Sequence, residues 1–396
     1  MSNNYKNLFI YNFIRTVYHY FVQKKRRYIY SLYLKQIFNF YKTNFKKNAL
    51  IIYQPVSFLL PLSHSWLKKD SLYEQNRMIA NILMENEYNV DIISNNDKDF
   101  NPSIEYDLIF SNGSGYQKIY KSQITKPKII LHYTTAFCEF HNAQQEKRLH
   151  QYALRTGINI DIQRPEDISN NGDFADLILT LGNEFTKSTF PKKIRDKVKL
   201  IPNFPIEHLI KIKKHFVTKD SINNFLYMAS KDSILKGLDL LMEAFSMPGM
   251  ENYNLYVAGS FENEGEFMDY YEVYFDLDNI HKIGWLNLNK TKSIDLIKTC
   301  SFHIFPSCSE GMPGAVITSM SLGLIPIVTK EAGISCDNNE IIITEDINHI
   351  SKVVKDCANF DLNELRSRSN KIIKHTATLK NKFEQVLKST IKLIDS

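Results

Sequence analysis

The segment FHIFPSCSEGMPGAVITSMSLGLIPIVT, residues 302–329, holds the side chains best placed to do chemistry. An apolar run leads into a loop of Ser, Gly and Pro, and Pro313 stands where a first helical turn accepts a residue without an N–H. A helix starting there leaves the backbone N–H groups of Gly314, Ala315 and Val316 unpaired; with the helix dipole they make a site for an anion such as a diphosphate. Glu310, flanked by Ser309, Gly311 and Met312, would repel a phosphate but can accept charge-assisted hydrogen bonds from neutral hydroxyls. An anion site beside a hydroxyl acceptor fits a sugar joined to a diphosphate. On this segment alone, a surface glutamate in an ordinary loop of a doubly wound domain explains Glu310 equally well.

A second element, FLYMASKDSILKGLDLLMEAF, residues 225–245, runs from a strand through a loop into a helix opened by Lys236 and Gly237, with Leu238, Leu241, Met242 and Phe245 on its apolar face. That order puts Lys236 at the carboxyl edge of a sheet, where open α/β folds bind ligands. Lys231 and Lys236, five apart across the loop, could together neutralise a departing diphosphate, although either alone is more often a solvated side chain. His132 closes another strand run at a sheet edge and is a candidate for contact with a transferred group; a histidine there is structural more often than not. Neither of these segments holds a DxD cluster suited to a metal diphosphate, so neither a metal nor any other cofactor is expected.

Jointly these residues resemble the nucleotide-sugar-dependent glycosyltransferases of the GT-B fold, in particular the retaining family four. The family's donor motif begins with a glutamate followed by Gly-x-Pro and a helix leading to Gly-x-Pro-x-Val; here it reads Glu310, Gly311, Pro313, Gly323, Pro326 and Val328. Its phosphate-binding Arg and Lys-Gly match Lys231 and Lys236-Gly237, with Ser230 where a Gly precedes the Arg. Thr318 occupies the place of the second glutamate of the Glu-x7-Glu motif, whose carboxylate binds the ribose hydroxyls, and one hydroxyl cannot replace a bidentate acceptor. That departure places the chain in a divergent branch. The resemblance implies a nucleoside diphosphate sugar as donor and a saccharide as acceptor. It implies Glu310, Lys236, Lys231 and His132 as catalytic, and Ser230, Gly237, Ser309, Gly311, Met312, Pro313, Gly314, Ala315, Val316 and Thr318 as donor-binding. It also leans toward retention of anomeric configuration.

The elements that must carry these loops form two series of short β-branched runs alternating with helices, the pattern of parallel sheets. The first is Leu50 to Tyr53, Val90 to Ser94, Asp107 to Ser111, Ile129 to His132 and Leu177 to Leu181; VKLIPNFP, residues 198–205, ends it with two prolines. The second is Phe225 to Ala229, Leu255 to Ala258, His281 to Ile283, His303 to Pro306, Ile325 to Val328 and Ile341 to Thr344. Expected are an N-terminal Rossmann-like acceptor domain at 49–205, a linker at 206–224, a Rossmann-like nucleotide-sugar domain at 225–362 and a helical segment at 363–396, the two domains facing one cleft. Ser71 and Glu74 read as a capping box for a helix after the first strand.

The chain has 396 residues, 43% apolar and 23% charged, which excludes disordered, collagenous and coiled-coil classes. Its net charge of +6 is unevenly spread: residues 1–48 hold ten Lys or Arg and no Asp or Glu, so the remainder is at −4. Leu8 to Val22 recurs at helical spacing, and an aromatic, lysine-rich stretch follows from Tyr28 to Phe45. A basic aromatic helical arm of this kind fits a membrane surface or packing on the body, rather than a nucleic-acid partner. The five scattered cysteines form no CxxC pair and fit reduced thiols, and no apolar stretch reaches membrane-spanning length. A cytoplasmic protein, peripheral on the inner face of the cytoplasmic membrane, is expected, with a polyprenyl-diphosphate-linked saccharide as the natural acceptor. The heavy use of Lys, Asn and Ile points to an AT-rich bacterial genome and to O-antigen or capsule assembly. The rival is a catalytically silent glycosyltransferase-like subunit that binds saccharide or acts as a scaffold, motivated by Thr318; a sugar epimerase of GT-B type has no support in these residues.

Overall fold

Apolar β-branched runs form two six-stranded sheets in which every pairing is parallel. The computed structural model describes residues 24, 27–61, 63–210 and 217–395. The first sheet contains β1 (Lys47–Tyr53), β2 (Tyr88–Ser94), β3 (Leu108–Ser111), β4 (Lys128–Tyr133), β5 (Leu177–Leu181) and β6 (Val198–Ile201), ordered β2-β1-β3-β4-β5-β6. The second contains β7 (Asn224–Met228), β8 (Asn254–Ala258), β9 (Ile280–Gly284), β10 (Phe302–Phe305), β11 (Ile325–Val328) and β12 (Ile341–Ile342), ordered β12-β11-β10-β7-β8-β9. Helices cover both faces, so strands such as β3, β10 and β11 are buried throughout and read as unbroken apolar runs.

The second order is that of the doubly wound dinucleotide-binding fold, in which the winding direction reverses between the first and fourth strands. Here those are β7 and β10, which lie side by side. Crevices open outside the carboxyl ends of strands at such a reversal, and the loop holding Lys236 follows β7 while the loop holding Glu310 follows β10.

Five helices matter to the site: α1 (Leu72–Glu85), α2 (Cys138–Thr156), α3 (Leu238–Phe245), α4 (Gly314–Ser321) and α5 (Leu362–Asp395). α5 buries Leu365, Ile372, Leu379, Phe383, Leu387 and Ile391, spaced at whole helical turns. It leaves the second sheet and returns to the first, where the Phe383 ring lies 5.2 Å from that of Phe204. One continuous apolar core therefore joins the two halves.

Two expectations change. VKLI at 198–201 is a sixth strand, β6, on the sheet edge rather than only the end of the series; the prolines that follow it masked it as a loop. The capping box at Ser71 does not form, because the Ser71 hydroxyl donates to Asn203 Oδ1 at 2.9 Å and Glu74 pairs with Lys380 on α5. The stretch from Ile29 is packed on the body: Ile29 and Leu32 join Val56, Leu60 and Leu67 in a small core, and Ile37 bridges Ile92 on edge strand β2. Such a segment shields the exposed edge of the sheet. Tyr28, Tyr30, Leu34 and Phe38 stay exposed on it. The helical pattern at Leu8 to Val22 and linker residues 211–216 lie outside the described residues. No described helix is long and apolar enough to cross a membrane.

Candidate active site

The turn between β7 and α3 is wound so that the Lys236 N–H bonds to the Asp232 carbonyl and that of Gly237 to the Ile234 carbonyl, both at 3.0 Å. Gly237 has φ +78°, and a Cβ there would lie 2.3 Å from the Pro306 carbonyl oxygen, so only glycine lets this turn press against the loop after β10. The contact is secured by Arg148 of α2, which donates to the Ile234 carbonyl at 3.1 Å and the Pro306 carbonyl at 2.9 Å. The two site loops are thus fixed to each other and to the first half of the chain.

A cavity of about 340 Å³ opens there, a volume suited to a small ligand. From the second half, Ser230, Lys236, Glu310, Pro313, Gly314, Ala315 and Thr318 line it, with Trp285, Asn287 and Asn289 beyond β9; Lys68, Asp70, Ser71 and Arg164 close it from the first half. Lys236 is buried, and its Nζ donates to the Lys231 carbonyl at 2.7 Å and lies 3.7 Å from Asp232 Oδ2. Burial lowers the Lys236 pKa, while the Glu310 and Asp232 carboxylates oppose that shift. Glu310 is buried beside it, with its N–H bonded to the Glu331 carbonyl at 2.9 Å.

α4 has no side-chain cap, and its first backbone bond runs from the Ile317 N–H to the Pro313 carbonyl. The N–H groups of Gly314 and Ala315 precede that bond at the cavity wall, in the arrangement that attracts an anion. Thr318 lies one turn further along the same wall.

The remaining predicted residues shape the site from behind or stand apart from it. The Met312 carbonyl accepts from Asn203 Nδ2 at 2.8 Å, and a Cβ on Gly311 would meet the Thr134 carbonyl at 2.5 Å, so this loop is seated directly on the first half. Val316 is in the core. Two expectations are corrected. The Lys231 side chain is exposed and does not line the cavity; its carbonyl, not its ammonium, turns inward to Lys236. His132 lies inside the first half, its Nδ1 3.2 Å from the Tyr53 hydroxyl and its ring among Phe110 and Phe383, because α5 covers the face of β4 from which it projects. Burial pushes its pKa down to about 4.

Sequence reasoning left out His141 and passed over Arg164. His141 Nε2 faces the Arg164 carbonyl at 3.1 Å; a carbonyl only accepts, so Nε2 carries the proton and Nδ1 accepts from the Ser309 hydroxyl at 3.0 Å. This buried ring couples the first half to the Glu310 loop. Burial, followed by the Arg164 charge, lowers its pKa to about 4. A histidine pKa depressed below 6.5 gives stability that is full above that pH and lost as pH falls toward 4. The stability difference between wild type and His141→Gln, from urea midpoints, should therefore shrink as pH is lowered from about 6.5 to about 4; a difference independent of pH would mean that His141 titrates normally. One signal was available for His141: with Arg148 and Arg155 it recurs every seven residues on α2, a polar row on one face.

Residues 223–359 match the family described as Glycosyl transferases group 1. That stretch is similar to a group 1 glycosyl transferase domain. No curated protein matches the chain. Among solved structures, the chain is similar to sucrose-phosphate synthase from Thermosynechococcus elongatus, with 11% identity over 88% of this chain and 98% of that one and a TM-score of 0.58. It is similar to Anabaena HepE in complex with UDP, with 14% identity over 87% of this chain and 98% of that one and a TM-score of 0.52. It also matches S. aureus TarM, with 12% identity over 73% of this chain and a TM-score of 0.49, but spans only 55% of that chain's length. The chain has the two-domain GT-B fold, and the cavity lies where the stretch matched by that family meets the first half.

Proposed function

We propose that this protein transfers a sugar from a nucleoside diphosphate sugar to a saccharide acceptor, as a divergent relative of the retaining family four enzymes. The observation that carries the reading is the convergence of Lys236, Glu310 and the α4 N-terminus on one cavity at the β7/β10 reversal. In this reading the diphosphate lies against Lys236 and the Gly314 and Ala315 N–H groups, and the sugar hydroxyls donate to Glu310. The bond from the anomeric carbon to the diphosphate breaks with its electrons on the leaving oxygen, whose negative charge Lys236 stabilises, while an acceptor hydroxyl oxygen bonds to that carbon and its proton leaves with the phosphate. The first half closes the cavity over the donor, limiting hydrolysis by water. No metal or other cofactor is assigned a part.

The acceptor we propose is a polyprenyl-diphosphate-linked saccharide on the inner face of the cytoplasmic membrane, in O-antigen or capsule synthesis. The basic residues of 1–48 and the exposed Tyr28, Tyr30, Leu34 and Phe38 support that location. Because the chain from Ile29 onward is packed on the body, the truncation that isolates the arm removes residues 1–23. It should weaken binding to vesicles containing anionic lipid at least tenfold without changing the melting temperature; unchanged vesicle binding would assign the arm another role.

The test of function is release of nucleoside diphosphate in the presence of UDP- or GDP-sugars and lipid-linked saccharide. Thr318 in place of a ribose-binding carboxylate favours the second reading, a silent saccharide-binding or scaffold subunit. Nucleotide binding without turnover across the donor and acceptor panel would select it.

A further inference from the structure

We propose that Arg164, contributed by the first half of the chain, is the second cation of the donor diphosphate site, an inference that rests on the donor reading above. A diphosphate has more negative charge than the one buried ammonium and a helix terminus balance; Lys68 also lines the cavity but is exposed, and the side chain of Lys231, the expected second cation, does not line it. Arg164 lines that cavity from the opposite wall, and its Nη1 lies 3.6 Å from Glu310 Oε1. Its backbone is held on both sides: the N–H donates to Gln145 Oε1 at 3.2 Å, and the carbonyl accepts from Gln145 Nε2 at 2.6 Å and from His141 at 3.1 Å. The guanidinium is therefore delivered to the site by α2 through a fixed main chain, although the loop that carries it has no regular structure.

The fork of a guanidinium matches phosphate oxygens in pairs, which a lysine cannot do. Arg164 pairs with the buried Glu310 carboxylate. With donor bound, its fork moves to the diphosphate and leaves Glu310 free to accept from sugar hydroxyls. Because Arg164 belongs to one half and Lys236 to the other, tight diphosphate binding requires both halves in contact, which links donor capture to closure of the site.

Calorimetric titration with UDP, UMP, GDP and GMP tests this. Arg164→Gln should weaken binding of the diphosphate by tenfold or more and of the matching monophosphate by less than threefold, and Arg164→Lys should recover only part of the loss. Glutamine retains the main-chain bonds to Gln145 and His141, and an unchanged melting temperature shows that the fold survives; Arg164→Lys serves as the test if it does not. Wild-type diphosphate affinity in these variants, with binding lost in Lys236→Ala, overturns the role of Arg164 and leaves the donor reading standing. Failure of the wild-type protein to bind any of the nucleotides overturns both.

Discussion

Replacing Lys236 with alanine is expected to lower kcat/KM for sugar transfer by roughly 30- to 1,000-fold, about 2 to 4 kcal/mol of transition-state stabilisation. The magnitude follows from its surroundings. An exposed lysine would face a departing phosphate through water, where a charge pair is worth little, but Lys236 is 8% exposed. Its Nζ is held by the Lys231 carbonyl and faces Asp232 and Glu310, so it is in place before charge develops. Because Lys236 already faces the diphosphate of the bound donor and further charge forms on the leaving oxygen as the bond breaks, the loss should fall on both KM and kcat. Lys236→Gln, which can still donate to the Lys231 carbonyl, should be nearly as slow. Activity within threefold of wild type in either variant would remove Lys236 from the reaction.

Arg148→Ala should destabilise the fold by about 3 to 5 kcal/mol, the range for removing one partner from a buried ion network. Arg148 is 1% exposed and lies 3.7 Å from Asp239 Oδ1 and 3.2 Å from Glu345 Oε1, besides its bonds to the Ile234 and Pro306 carbonyls. Without it, Asp239 at full burial keeps only Arg155 as a cationic partner among the described residues. Burial already raises the Asp239 pKa, with Arg148 and Arg155 opposing, so its loss should drive that carboxyl further toward the neutral acid. The same substitution leaves the loops carrying Lys236 and Glu310 joined only by direct contacts such as the Cys308 N–H to the Leu235 carbonyl at 3.0 Å, and no longer to α2, so kcat/KM should fall even where the variant is fully folded. Urea unfolding and steady-state rates on the same samples separate the two effects. A stability loss below about 1 kcal/mol would show that the network is not what joins the halves.

Arg148 also marks where reading the sequence stopped. The elements that position the site were legible because their signals are local: unbroken β-branched runs report strands buried on both faces, and the Pro313 and Gly237 turns report helix starts at strand ends. Lys236, Glu310, Pro313, Gly314, Ala315 and Thr318 all line the cavity, since each lies within a few residues of the strand end that determines its position. Ser71 failed as a cap because its hydroxyl found Asn203, 132 residues away.

His132 and Lys231 were misplaced for related reasons. A strand-end histidine faces a cleft or a core according to what covers that face, and here the cover is Phe383 from the far end of the chain. A loop lysine points in or out according to the turn's winding, which Asp232, at φ +66°, sets without a glycine to announce it. Arg164 had no local signal at all, since it enters the site only because Gln145 and His141 fix its backbone. Two parallel sheets and the loops that end them were thus readable from the residues alone, because hydrophobic burial and turn chemistry act over a few residues. Which charges face one another across the cavity depends on the folded chain, because a buried cation is stable only where distant chain segments bring it carboxylates and carbonyls.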